Sequence, residues 1–183
     1  MLLVDGMRSV EEICDESPYS SFETSKIIAF LIKENQLRPL TPAELMAAGF
    51  RVREEGRLED AVAIYRSVVE SDPAHEAARE ALAEIFTRLG RSREAGDELA
   101  ELGKIAKDTN DEDKAFEYME KAAGLSPKNT EIHQQLLRMY LAKGRLDDAG
   151  NEANLVAKAF WHLGKHYEAR DVLDELLKEY PQH

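Results

Sequence analysis

A block of 54 residues occurs twice in this chain and then begins a third time, over residues 57–110, 111–164 and a shortened copy from 165 onward. Aligned, the copies place alanine at Ala61, Ala115 and Ala169 and proline at Pro73, Pro127 and Pro181. The two full copies also share Leu82 with Leu136, Gly90 with Gly144, Arg91 with Arg145 and Ala95 with Ala149. What recurs is small residues and turn residues, which stacked helices require and a catalytic site does not. A period of this length confines the chain to units that bury their apolar faces on their neighbours.

Within each copy the apolar residues fall three and four apart between turn signals, the spacing of amphipathic helices. Thr41-Pro42-Ala43-Glu44 opens the first with a capping threonine, a proline preset for the first turn and a glutamate three residues after the cap. Gly56 ends it. A helix over about 58–70 carries Leu58, Ala61, Val62, Tyr65, Val68 and Val69 until Asp72-Pro73 stops it. Helices over about 75–89 and 92–107 follow, with Gly90 between them, and the turn at 108–111 restarts the cycle. The second cycle supplies Ile132, Leu136, Met139 and Tyr140, then Ala149, Ala153, Val156 and Phe160. A last helix carries Ala169, Val172, Leu173, Leu176 and Leu177. That makes about eight helices from residue 41 onward and no segment alternating with period two. The expected fold class is all-α.

The stretch ending EEGRLEDAVAIYRSVVESDP resembles a tetratricopeptide repeat, a helix-turn-helix unit of 34 residues with small and large apolar residues at fixed offsets. Ala48-Gly49 stands at the family's Leu-Gly pair, Gly56 at its turn, Ala61 at its small packing residue, Tyr65 at its aromatic and Pro73 at its closing proline. The 34-residue spacing recurs from Ala61 to Ala95 and from Ala115 to Ala149, and the resemblance covers about residues 42–181. Ala95 to Ala115 and Ala149 to Ala169, however, are only 20 apart. One helix is missing from each second step. The helix near 92–108 carries Ala95, the mark of a second helix, and also Leu102-Gly103, the mark of a first. The expectation is therefore a TPR-like α-solenoid in which this helix closes one pair and opens the next.

The first 40 residues differ in kind. Leu2-Leu3-Val4 before Asp5-Gly6 suggests a short strand and turn, and Ser9 to Glu12 and Ser20 to Glu23 are capping boxes for helices near 10–15 and 21–34. The result is a small helix-turn-helix-like segment, expected to pack on the first repeat helix as a cap, so that the chain divides into residues 1–40 and 41–183. The run VDGMRSVEEICDESPYSSFETSKIIAFLIKENQLRPL resembles the closing part of the bacterial PATAN-type domain. That resemblance implies bacterial two-component signalling or surface motility, and a longer protein of which this chain is the C-terminal part. DNA binding by the segment would need cations beside the phosphates, yet its second helix offers only Lys26 and Lys33 and the segment's net charge is negative.

Composition narrows function further. Thirty-six acidic against 24 basic residues give a net charge of -12, which repels nucleic-acid backbones and anionic membranes. No run of about 18 apolar residues exists to span a membrane, and the first residues lack a basic stretch followed by an apolar one, so no signal peptide is expected and a cytoplasmic location is. The single cysteine, Cys14, fits a reducing compartment. His162 and His166 have a metal-ligand spacing, but Gly164 between them reads as a turn, and no carboxylate or cysteine cluster completes a set. No phosphate-binding loop, nucleophile elbow or zinc-protease motif occurs, so neither enzyme activity nor a cofactor or metal is expected.

The tetratricopeptide resemblance implies a protein or peptide partner in a concave groove lined by the first helix of each pair. The corresponding positions are Met46, Phe50 and Arg53, then Glu80, Glu84 and Thr87, then Gln134, Arg138 and Leu141. The lysine and asparagine clamp by which chaperone-binding members hold a terminal carboxylate is absent. The stripe Val172, Leu173, Leu176 and Leu177 is wider than one neighbour would cover, so a homodimer through the C-terminal helix, or residues beyond this chain, is expected to cover it. The function expected is a protein-interaction scaffold in bacterial signalling or complex assembly. The alternative is a transcription-related regulator contacting DNA through residues 1–40.

Overall fold

The computed structural model describes residues 10–179, the side chains of Glu11, Glu12 and Glu179 excepted, and every described element is a helix. The strand expected near Leu2 and the cap at Ser9 lie outside the described residues. Helices α1 (Val10–Glu16), α2 (Ser21–Lys33), α3 (Pro42–Glu54) and α4 (Leu58–Ser71) belong to one compact unit. Helices α5 (Glu76–Arg88), α6 (Ser92–Asp108), α7 (Glu112–Leu125), α8 (Thr130–Ala142), α9 (Leu146–His162) and α10 (His166–Glu179) belong to a second, which begins at Ala74. Eight helices thus follow residue 41, as the periodicity requires.

In the first unit the two capping boxes form as read. The Ser20 hydroxyl accepts from the Glu23 backbone N–H at 3.3 Å, and the Glu23 carboxylate accepts from the Ser20 N–H at 3.2 Å. Thr41 and Glu44 do the same at 3.3 and 2.9 Å. The cap expected from residues 1–40 does not form by helix packing. The α1–α2 pair closes on Ile13, Cys14, Thr24 and Ile28, leaving Phe22, Ile27, Phe30 and Ile32 exposed, and α2 has no more than marginal contact with α3. The link is instead Arg38, whose guanidinium donates to both oxygens of Glu44 at 2.8 and 2.7 Å. This bidentate bond, with the two from Thr41, holds the Glu44 carboxyl well below the usual carboxylate range. The α3–α4 pair closes on Gly49, where a Cβ would stand 2.8 Å from the buried Tyr65 ring. Glycine is required there by close approach.

The second unit shows why two spacings, 34 and 20, alternate. Helix α6 packs along both α5 and α7, and α9 along both α8 and α10. Both shared helices have 17 residues, against 13 or 14 in their partners. Gly96 and Gly103 sit on the face of α6 turned to α7. A Cβ at Gly103 would lie 3.0 Å from Met119 and 3.3 Å from the Ala115 carbonyl oxygen. The marker alanines Ala61, Ala95, Ala115, Ala149 and Ala169 are all buried at helix crossings.

One turn type joins the members of every pair from α3 onward. Gly56, Gly90, Asn110, Gly144 and Gly164 adopt positive φ, spaced 34, 20, 34 and 20 residues apart. After each, the next N–H reaches back to a carbonyl five residues earlier, as in Arg57 to Val52, Arg91 to Phe86, Asp111 to Ala106, Arg145 to Tyr140 and Lys165 to Phe160, at 2.8–3.1 Å. This bond is the six-to-one closure of a Schellman cap. Four of the five positions are glycine because a left-handed residue carries no steric cost there.

Candidate interaction surfaces

The positions expected to line a groove fall into two sets. In the first unit Phe50 is 52% exposed, with the Arg53 guanidinium 5.1 Å from its ring centre, and Met46 is half-buried beside them. This is a small apolar and cationic surface suited to a partner side chain. In the second unit the α5 positions Glu80, Glu84 and Thr87 are exposed, and the Thr87 hydroxyl donates to the Ala83 carbonyl at 2.8 Å. On α8, Gln134 is half-buried, Leu141 packs against the core and Arg138 is exposed.

Glu80 and Arg138 are engaged with other helices of their own trios. Glu80 accepts from the Tyr118 hydroxyl on α7, and beside it Lys114 donates to Glu76. Arg138 donates to Glu175 on α10 at 3.2 Å. Both bridges span a shared helix: α5 reaches α7 across α6, and α8 reaches α10 across α9. Sharing a helix turns the first and third members of each trio toward one another, so positions that the family leaves for a ligand carry bonds within the trio. Burial, then the bond to Glu80, raises the Tyr118 phenol to about 12. Burial, then Glu120, does the same for Tyr140.

Two interhelical polar pairs escaped the sequence reading. Arg79 donates to Glu98 at 2.7 Å between α5 and α6. One period later, His133 Nδ1 lies 2.6 Å from Glu152 between α8 and α9. His133, in the first turn of α8, is only 4% exposed, and its Nε2 has no partner. The 54-residue offset common to both pairs was the signal that could have found them. His75 does sit at a helix start, its Nδ1 accepting from the Ala78 N–H at 3.2 Å. His162 closes α9 and His166 opens α10, so they share no helix face.

Elsewhere an open cleft of about 690 Å³ lies between the start of α6 and the α7–α8 turn, with Arg93, Asp97, Lys128 and Glu131 on its walls. Its mixed charges select no ligand class. On α10 the expected dimer stripe divides. Val172 is buried and Leu176 packs against the α7–α9 core, whereas Leu173 and Leu177 are 40% and 43% exposed. Among the described residues no cluster of three His, Cys, Asp or Glu could hold a metal, and no helix is long and apolar enough to cross a membrane.

Paired helices closed by small residues and repeated in trios define a helical-repeat interaction scaffold. Three tetratricopeptide repeat models match the chain, over residues 52–112, 99–129 and 155–183, and together they take in more than half of it. The chain belongs to the tetratricopeptide repeat family. The first two matches overlap within α6, which serves both as the end of one repeat and as the start of the next. No curated protein matches. Among solved structures, YrrB, described as a TPR protein with an unusual peptide-binding site, is 18% identical. The match covers 85% of this chain and 93% of that one, with a TM-score of 0.37. MamA from Desulfovibrio magneticus RS-1 is 20% identical over 86% of this chain and 95% of that one, with a TM-score of 0.35. The assignment rests on the family models.

Proposed function

We propose that this chain is a non-catalytic, cytoplasmic scaffold that holds a peptide or partner helix along its repeat helices, as a module of bacterial signalling or complex assembly. Residues 1–40 form a separate helix-turn-helix-like segment in this reading, and residues 41–183 the array. The family membership carries the proposal, because tetratricopeptide arrays typically bind proteins and do no chemistry. The exposed Phe50 beside Arg53 supports it as an anchor point. Met46 belongs with them on the first unit; on the second, Glu84, Thr87, Gln134 and Leu141 are the candidates, and Glu80 and Arg138 join them only when their bonds within the trios open. A pull-down comparing wild type with Phe50→Ala/Arg138→Ala tests this: partners should be lost from the variant, and retention of every partner removes the groove assignment.

The same reading includes a second copy of the chain covering Leu173 and Leu177. Light scattering should show a dimer that Leu173→Glu/Leu177→Glu converts to a monomer with an unchanged helical spectrum. Leu176 and Val172 are unsuitable for that substitution, since they support the fold itself. A wild type that is already monomeric ends the dimer proposal.

A further inference from the structure

The α6–α7 turn and the α9–α10 turn are the same structure one period apart. In the first, the Asn110 N–H bonds the Lys107 carbonyl at 3.0 Å and the Asp111 N–H the Ala106 carbonyl at 2.8 Å. In the second, the Gly164 N–H bonds the Trp161 carbonyl at 3.0 Å and the Lys165 N–H the Phe160 carbonyl at 2.9 Å. Their side chains are opposite in character. Lys107, Thr109 and Asp113 of the first turn correspond to Trp161, Leu163 and Tyr167 of the second. Residues 104–116 carry three cations and four carboxylates. Residues 158–170 carry three cations, one carboxylate and two histidines, in a chain of net charge -12.

Folding does not require this change, because the backbone turn forms equally well with either set. Nor would a following repeat cover the apolar residues. Residues 107–113 are all exposed although α8 and α9 follow them in the array, and 161–167 are exposed likewise. Trp161, Leu163 and Tyr167 are 61%, 68% and 76% exposed. The open face of α10 is a different case: Met119 and Ala123, which correspond to Leu173 and Leu177, are buried in the second copy. Cations flank the aromatic corner. The His166 ring lies 4.3 Å from that of Trp161, the Arg170 guanidinium 5.8 Å from the Tyr167 ring, and Lys165 5.8 Å from the Phe160 ring. Exposed tryptophan and tyrosine beside cations is the composition of an interface hot spot.

We propose that the α9–α10 corner, centred on Trp161, Leu163 and Tyr167, is a docking site for an acidic peptide segment that carries an apolar anchor. It lies apart from the groove positions and does not depend on them. The apolar trio takes the anchor and Lys165 meets a carboxylate beside it, while Arg170, held by Asp171 and Asp174 at 3.6 Å, reaches the peptide only by exchanging those partners. Within residues 158–170 three cations stand against one carboxylate, so this corner repels an acidic segment less than the rest of a chain of net charge -12 does.

Trp161 is the only tryptophan in the chain, so its emission reports the site directly. A randomised library of displayed 12-residue peptides, selected on the full chain, should yield sequences with Asp or Glu around an aromatic or aliphatic residue. Synthetic copies should change Trp161 emission saturably and bind more weakly in raised salt. Leu163→Ser/Tyr167→Ser should weaken them about tenfold or more, as expected for loss of a hot spot, and Lys165→Glu should weaken them too. Both variants alter exposed positions and should keep the wild-type helical spectrum. Phe50→Ala/Arg138→Ala should bind the same peptides unchanged, which separates this site from the groove. A library that yields no binder, basic or neutral selected sequences, or binding that survives Leu163→Ser/Tyr167→Ser overturns the proposal. A peptide-free dimer that shields Trp161 in sedimentation and quenching measurements also overturns it, in favour of a second copy as the occupant.

Discussion

Arg79–Glu98 and His133–Glu152 occupy the same slot in the two copies, each tying the first helix of a trio to the shared helix. The geometry is retained across the period, while the chemistry is not. A guanidinium cannot shed its charge, whereas an imidazole can sit neutral. The first copy is therefore committed to an ion pair in a half-buried slot, and the second sets an imidazole against the carboxylate there. The repeat preserves a shape, and each copy fills it with the polar pair its own surroundings accept.

The comparison can be broken first at its apolar foundation. Leu82→Ala and Leu136→Ala remove equivalent, fully buried side chains and should each cost about 2–5 kcal/mol in denaturant unfolding. Markedly unequal losses would show that the two trios are not equivalent cores. Next comes the polar slot. Glu98→Ala removes a charge-assisted bond from the half-buried Arg79 and should cost on the order of 2 kcal/mol. Glu152→Ala leaves an imidazole and should cost about 1 kcal/mol. Equal costs would mean that both slots hold charge.

A smaller effect should reverse sign between the copies. A Cβ at Gly96 would meet the Ser126 hydroxyl and, at 3.2 Å, the Ala122 carbonyl, whereas its counterpart Gly150 has open space. Gly96→Ala should destabilise by about 1 kcal/mol through overpacking. Gly150→Ala should stabilise by about 0.5–1 kcal/mol through helix propensity. Thermal melting of the two variants reads both signs. The smallest effect concerns Tyr118 and Tyr140, whose phenols are raised to about 12 from an ordinary value of 10. Their contribution is complete below pH 10 and is lost as pH rises toward 12, because the unfolded chain ionises first. Tyr118→Phe/Tyr140→Phe should flatten the alkaline fall of stability, followed by circular dichroism.

Helix boundaries and the sharing of α6 were legible because they rest on local chemistry. Glycine at Gly90 and Gly164, proline at Pro73 and Pro127, and the paired marks Ala95 and Leu102-Gly103 act within a few residues of where they stand. The placement of the candidate interaction residues was not legible in the same way. Glu80 looks like a free groove carboxylate until α7 brings the Tyr118 hydroxyl to it, and His133 looks like a surface residue until α9 covers it. The apolar residues of α2 suggested a cap on α3, yet the helix spends only Thr24 and Ile28 on burial and the connection passes through Arg38.

The sequence by itself determined the period, the all-helical class, the five left-handed turns and the family, since each is encoded in residues that act on their own backbone or at fixed offsets. Only the tertiary structure decided which polar side chains are consumed and which remain for a partner. Glu80 and Arg138 find their bonds in helices 38 and 37 residues away, while Trp161, Leu163 and Tyr167 find none to cover them. The reason is that burial belongs to the arrangement of helices around a residue, and a shared helix changes that arrangement without changing any local signal.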